Sequence, residues 1–250
     1  MIEIIVNEVT KRIIDEMHKE DKKALVLFTG GKIGFESSIE SIKKLIYDGW
    51  SLKVVLSKNA DFVLGSNTIK QQLGIEDIFV EDEIKDINYL KQDIKKIIIP
   101  VLTMNSASKI SLGISDTLIT YLVSWGIMND IPIIAAKDAC DPENNIRFKS
   151  SSQVPTAYKN MIKDNLKKLE SYNIKFTSAE KLYDTIVNFL KSSEPEKSQS
   201  VLLNKKLITA EDVMKLQKDN CEILVSKDTI VTALAKERAN SLGIRIKIKD

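Results

Sequence analysis

Thr103, Asn105, Ser106 and Lys109 crowd into one short stretch directly behind the apolar run Lys95–Pro100. Such a run reads as a buried strand, and the residues from Ser106 to Met128 carry the spacing of a long helix. The hydroxyls, the amide and the ammonium are thereby delivered to a strand-to-helix junction. Backbone N–H groups left free in the first turn of a helix, together with the helix dipole, favour an anion, typically a phosphate. The same hydroxyls also suit ordinary N-caps. Both readings stay open on the chemistry alone.

Two more segments put small or polar residues at the ends of apolar runs. Lys23–Phe28 ends in Thr29, Gly30 and Gly31, and Leu52–Leu56 ends in Ser57. Glycine allows a backbone to approach a ligand closely. The loop is neither a complete Walker A motif nor a dinucleotide fingerprint, because the Lys-Ser/Thr pair and the Gly-x-Gly-x-x-Gly spacing are both missing. Ile78–Val80 and Pro132–Ala136 add further strands, and Phe35 to Tyr47 has helical spacing. Strands separated by helices imply an α/β fold, a three-layer Rossmann-like (flavodoxin-like) parallel sheet with helices on both faces. Ligands of such folds sit beyond the carboxyl ends of the strands. Three polar strand ends that converge there form the bottom-up case for a mononucleotide site.

Composition bounds the alternatives. With 43% hydrophobic and 29% charged residues in 250, the chain can bury a sizeable core. A net charge of +2, with lysines spread among acids, gives no reason to expect nucleic acid. No apolar run reaches the ~20 residues of a membrane span, and the start lacks the pattern of a secretory signal, so a cytoplasmic setting is expected. Cys140 and Cys221 are too few for a disulfide framework or a zinc motif. The single histidine, His18, leaves histidine-rich metal sites and a Ser-His triad without their residues, and no metal is expected.

The segment behind the central strand resembles the pattern P-A-S-A-N-T-x-x-K-I-A-x-G-I-A-D-N-L of the homo-oligomeric flavin-containing cysteine decarboxylase superfamily. In register, Asn105, Lys109, Gly113 and Asp116 are identical, Thr103 stands at the pattern's Ser, and Ser106 at its Thr. Thr29–Gly34 is similar to that family's Thr-Gly-Ser-Ile-Ala-Ala loop, with Gly31 where the family has serine and Lys32 supplying a charge. Val54–Ala60 resembles its V-V-L-T-x-x-A, with Ser57 at the phosphate-contacting hydroxyl. The likeness covers roughly residues 22 to 190. It implies flavin mononucleotide (FMN) as cofactor, held by Thr29, Gly30, Gly31, Lys32, Ser57, Thr103, Met104, Asn105, Ser106 and Lys109. It also implies a homo-oligomer, a trimer or a dodecamer, with the flavin between subunits.

Departures from the family pattern are equally specific. The family's catalytic histidine after the second strand has no counterpart, and Ala136–Pro142 lacks the Pro-x-Met-Asn-x-x-Met-Trp clamp. Cys140 and Asp138 stand where a substrate or flavin edge would be met, Cys140 as a thiol and Asp138 as a base. Three functions remain: a flavin-dependent redox enzyme or electron carrier, a decarboxylase-like lyase acting on a phosphopantothenoylcysteine or peptidyl-cysteine substrate without the usual histidine, and a non-catalytic assembly protein.

The two ends lie outside this core. Ile2, Val6, Val9 and Ile13 give residues 2 to 18 an amphipathic helical stripe, suited to a docked helix or to a partner-binding address. Residues 1–20 are read as that helix, 21–192 as the flavin-binding domain, 193–205 as a polar linker and 206–250 as a small α/β module. The motifs from Ile208 to Val213 and from Ile230 to Ile244 resemble a short module at the ends of proteins associated with bacterial microcompartments. That likeness implies a microcompartment location, with shell or enzymes as partners.

Overall fold

A computed structural model describes residues 21–144, 146, 154–193, 200–203, 205–214, 222–226, 228–242 and 244–248. The expected amphipathic helix over 2–18, His18 and Cys221 lie outside the described residues. The chain divides into two compact units, Met1–Asn188 and Phe189–Asp250.

The first unit is built on six strands: β1 (Lys23–Phe28), β2 (Ser51–Leu56), β3 (Ile78–Val80), β4 (Lys96–Val101), β5 (Ile133–Ala136) and β6 (Ile174–Thr177). All pair in parallel, in the order β3-β2-β1-β4-β5-β6. β1 and β4 are apolar almost throughout because helices cover both faces of a doubly wound sheet. Its helices are α1 (Phe35–Tyr47), α2 (Lys58–Leu64), α3 (Ser66–Leu73), α4 (Ile87–Lys91), α5 (Met104–Ser111), α6 (Leu118–Met128) and α7 (Thr156–Ser171), and α8 (Leu182–Ser193) follows. From β1 the chain winds to β2 and β3 in one direction, and from β4 to β5 and β6 in the other. The switch point of the sheet therefore lies between β1 and β4.

Pro100 sits in this central strand, where a missing N–H would interrupt a ladder. The register resolves the conflict. Val26 pairs with Ile98 and Phe28 with Val101, so two β4 residues, Ile99 and Pro100, oppose one on β1. This bulge absorbs the proline and sets the direction in which β4 leaves the sheet.

The single long helix expected from Ser106 to Met128 is two helices, α5 and α6. Gly113 takes φ 73°, and the N–H groups of Gly113 and Ile114 bond back to the carbonyls of Ile110 and Lys109. That is a Schellman termination, which needs a residue free to adopt a left-handed conformation. Thr117 and Thr120 then form a capping box that starts α6. Of the apolar flank Leu118, Ile119, Leu122 and Val123, which suits core or interface, the last three are buried in the core with Leu27, Ile97 and Ala135, and Leu118 is partly buried against it.

The second unit has its own core of Ile208, Val213, Ile223, Val225, Ala235, Ala239 and Ile244. Its strands are β7 (Ser200–Leu203), β8 (Leu207–Ile208), β9 (Glu222–Val225), β10 (Ile230–Val231) and β11 (Arg245–Ile248), with helices α9 (Ala210–Met214) and α10 (Ala233–Ser241). Parallel pairing joins β11-β9-β7 and, separately, β10-β8. Ser200–Leu203 forms a strand where a linker over 193–205 is expected, because the apolar Val201, Leu202 and Leu203 pair with β9. α10 begins at Ala233, after β10, with Thr232 as its N-cap. The Lys205 ammonium, with the N–H and hydroxyl of Thr209, holds the Asp212 carboxyl down to about 2.

Gly126 lets α6 approach the sheet: a Cβ there would lie 2.4 Å from Cδ1 of the buried Ile97. Alanine in a helix interior gains about 1 kcal/mol over glycine. Overpacking a closed core costs about 1–3 kcal/mol. Gly126→Ala is therefore expected to be net destabilising, by about 1 kcal/mol, in urea unfolding of the full chain. A stabilised variant would show that the helix–sheet gap is open.

Candidate functional site

The loops after β1, β2 and β4 line one cavity of about 620 Å³, with Gly30, Ser57 and Asn105 among its walls. This is the size of a typical small-molecule site, at the place where a doubly wound sheet offers one. Its construction starts from Thr29. This residue is 2% exposed; its hydroxyl donates to the Val101 carbonyl at 2.6 Å and accepts from the Thr103 N–H at 3.0 Å. Thr29 thus ties the ends of β1 and β4 together at the bulge, and its hydroxyl proton is used inside the protein.

Gly30 and Gly31 supply closeness. A Cβ on Gly30 would lie 2.7 Å from the Asn59 carbonyl oxygen, and one on Gly31 would lie 2.9 Å from Val101 Cγ1. The missing serine hydroxyl at position 31 therefore reflects a backbone packed against β4, with no room for a side chain. Ser57 and Thr103 act as N-caps, accepting from Ala60 N–H at 3.0 Å and Ser106 N–H at 3.5 Å. Thr103 also donates to the Ser106 hydroxyl at 3.1 Å. The capping reading holds for Ser57 and Thr103, and each cap uses one donor of its turn, which leaves other donors for an anion. The backbone N–H groups of Gly30, Asn59, Met104 and Asn105 have no hydrogen-bond partner among the described residues, and all four residues line the cavity.

The same lining also carries charged side chains. Lys109 pairs with both oxygens of Asp116, at 2.8 and 3.0 Å. Lys58 pairs with Asp82 at 2.8 Å, and that partner holds its ammonium above the ordinary lysine range. Glu81 accepts from Leu118 N–H at 2.6 Å and from Lys58 N–H at 3.3 Å. Sequence reasoning missed Lys58, Asn59, Glu81, Asp82, Asp116, Thr117, Ile119 and Thr120 as lining residues. The available signal was position: Glu81 and Asp82 directly follow β3, as Ser57 follows β2.

Thr29, Gly30, Gly31, Ser57, Thr103, Met104, Asn105, Ser106 and Lys109 all line this cavity. Lys32 is exposed and does not. Cys140 is fully buried in the apolar core, and Asp138 accepts from the Ala179 N–H at 2.7 Å. Neither lines the cavity. Among the described residues, no cluster of acidic, histidine or cysteine side chains could hold a metal ion, and no helix is long and apolar enough to cross a membrane.

The family model described as Flavoprotein matches residues 13–201, about three quarters of the chain. The chain belongs to the Flavoprotein family. Its fold is similar to that of Burkholderia xenovorans DmrB, described as a cubic protein cage for redox transfer. The apo form gives a TM-score of 0.52 at 18% identity, covering 68% of this chain and 95% of that one. The DmrB complex with FMN gives 0.50 at 19% identity, covering 68% and 96%. At these identities the likeness speaks for the fold. In sequence, the chain is 28% identical over 167 residues to the coenzyme A biosynthesis bifunctional protein CoaBC of Borreliella burgdorferi, covering 65% of this chain. It spans 38% of that relative's length.

Thr29→Val should cost about 1–3 kcal/mol in chemical unfolding, since it leaves the Val101 carbonyl and the Thr103 N–H without their partner. Thr29→Ser, which keeps both bonds, should stay close to wild type. Equal midpoints for Val and wild type would show that the tie contributes nothing.

Proposed function

We propose that this chain binds FMN in the crevice at the switch point and works as a redox enzyme or electron carrier. The observation that carries the reading is the set of unpartnered N–H groups of Gly30, Asn59, Met104 and Asn105 around one cavity, a suitable seat for a phosphate. The Ser57, Thr103 and Ser106 hydroxyls and the Asn105 amide stand beside them. Met104 and Ile119 are the apolar groups of the same lining. A bound flavin would supply electron transfer, while the protein binds, orients and excludes water.

A lyase reading draws on the likeness to CoaBC and on the decarboxylase pattern. It needs a base where the family histidine is missing. Asp138, the candidate from sequence, already accepts a backbone hydrogen bond and lies outside the cavity lining. Cys140 is buried in the core. The redox reading needs neither group.

Assembly into a trimer or a dodecamer belongs to the same proposal, supported by the family resemblance. A microcompartment setting rests on the sequence likeness of residues 208–244 alone.

The full chain should purify yellow, with the absorption bands of an oxidised flavin and FMN as the released small molecule. Asn105→Ala should weaken FMN binding about five- to tenfold, the loss of one hydrogen bond of roughly 1 kcal/mol. A colourless chain that takes up no added FMN would overturn the reading.

A further inference from the structure

Among the described residues of the first unit, Glu81 holds a position unlike any other carboxylate. It follows β3 directly, and its two oxygens reach two different loops. One accepts the N–H of Leu118, the first residue of α6, at 2.6 Å; the other accepts the N–H of Lys58, beside Asn59 of the phosphate seat, at 3.3 Å. Both are donors at the start of helices; Lys58 lines the cavity with Glu81, and Leu118 lies between the lining residues Thr117 and Ile119. An anion at such a place satisfies the donors and complements the dipole. In this chain the anion is built in.

The surroundings add to this. The cavity lining carries three carboxylates, Glu81, Asp82 and Asp116, against two lysines, Lys58 and Lys109. Each lysine is already paired with an aspartate. Both lysines of the lining are thus already neutralised on this side, and Glu81 holds two of the N–H donors beside them, those of Lys58 and Leu118.

Resting on the assignment of the cavity as a flavin phosphate site, we propose that Glu81 is a specificity-determining residue. Its carboxylate occupies the place of a second phosphate and restricts the cavity to ligands with one. A flavin mononucleotide fits this limit, and a diphosphate-linked dinucleotide does not. The carboxylate repels the second phosphate by like charge and withholds the Lys58 and Leu118 N–H groups from it. Glu81 takes no part in electron transfer.

The test is a titration of the full chain with FMN and with flavin adenine dinucleotide, followed by flavin fluorescence, for wild type, Glu81→Gln and Glu81→Ala. Wild type should prefer FMN by at least about a hundredfold. Both variants should reduce that preference at least tenfold, with Glu81→Ala, which frees both donors, having the larger effect. Inorganic pyrophosphate should compete with FMN better than inorganic phosphate in Glu81→Ala, and no better than phosphate in wild type. If Glu81→Ala unfolds, the Gln variant, which keeps an acceptor for Leu118, carries the comparison. FMN binding with an unchanged preference in the folded variants overturns this inference and leaves the cofactor assignment standing. Failure of wild type to bind either flavin overturns both.

Discussion

The site depends on a divergence of backbone at the centre of the sheet. β1 and β4 lie side by side, yet the chain winds away from them in opposite directions. Between such strands the loops separate, and a crevice opens that no sequence-adjacent segment fills. Its width is not left to chance. The Ile99–Pro100 bulge ends regular pairing, and the Thr29 hydroxyl fastens the Val101 carbonyl and the Thr103 N–H at that point. A fixed crevice follows, and α5 must start at its edge with its first N–H groups facing a cavity.

The remaining features of the site adapt to that frame. Gly30 and Gly31 are small because Asn59 and Val101 already occupy the space a side chain would need. Ser57 and Thr103 cap their turns without exhausting the donors, so local helix stability and anion affinity are compatible. The ion pairs of Lys58 and Lys109 show that neither lysine stands as an isolated cation beside the seat. In the proposed reading, attraction for an anion comes chiefly from oriented backbone, which needs little reorganisation when a ligand arrives.

Much of the architecture could be read from the chain, for physical reasons that differ between elements. β1 and β4 are buried on both faces, so their apolar runs are unmistakable, and α1 shows a clear apolar face. The break between α5 and α6 was hidden because Leu112 and Ile114 continue an apolar helical pattern through the turn. Gly113 was the one local sign of termination. β7 went unseen because a polar stretch precedes it and its partner β9 lies far along the chain. At the site, residues adjacent to strand ends were legible, since the topology alone brings them together. The acidic wall was not, because Glu81 follows a strand of only three residues and acts through the N–H groups of two distant loops. Cys140 and Asp138 had suitable chemistry, but packing assigns one to the core and the other to a backbone tie.

The central claim is that backbone N–H groups at the switch point hold the phosphate of a flavin. Parallel titrations of the full chain with FMN and with riboflavin, which lacks only that phosphate, address it directly. Charge-assisted hydrogen bonds of roughly 1.5–3 kcal/mol each should make FMN bind at least about a hundredfold more tightly. Equal affinities for the two flavins would contradict the account.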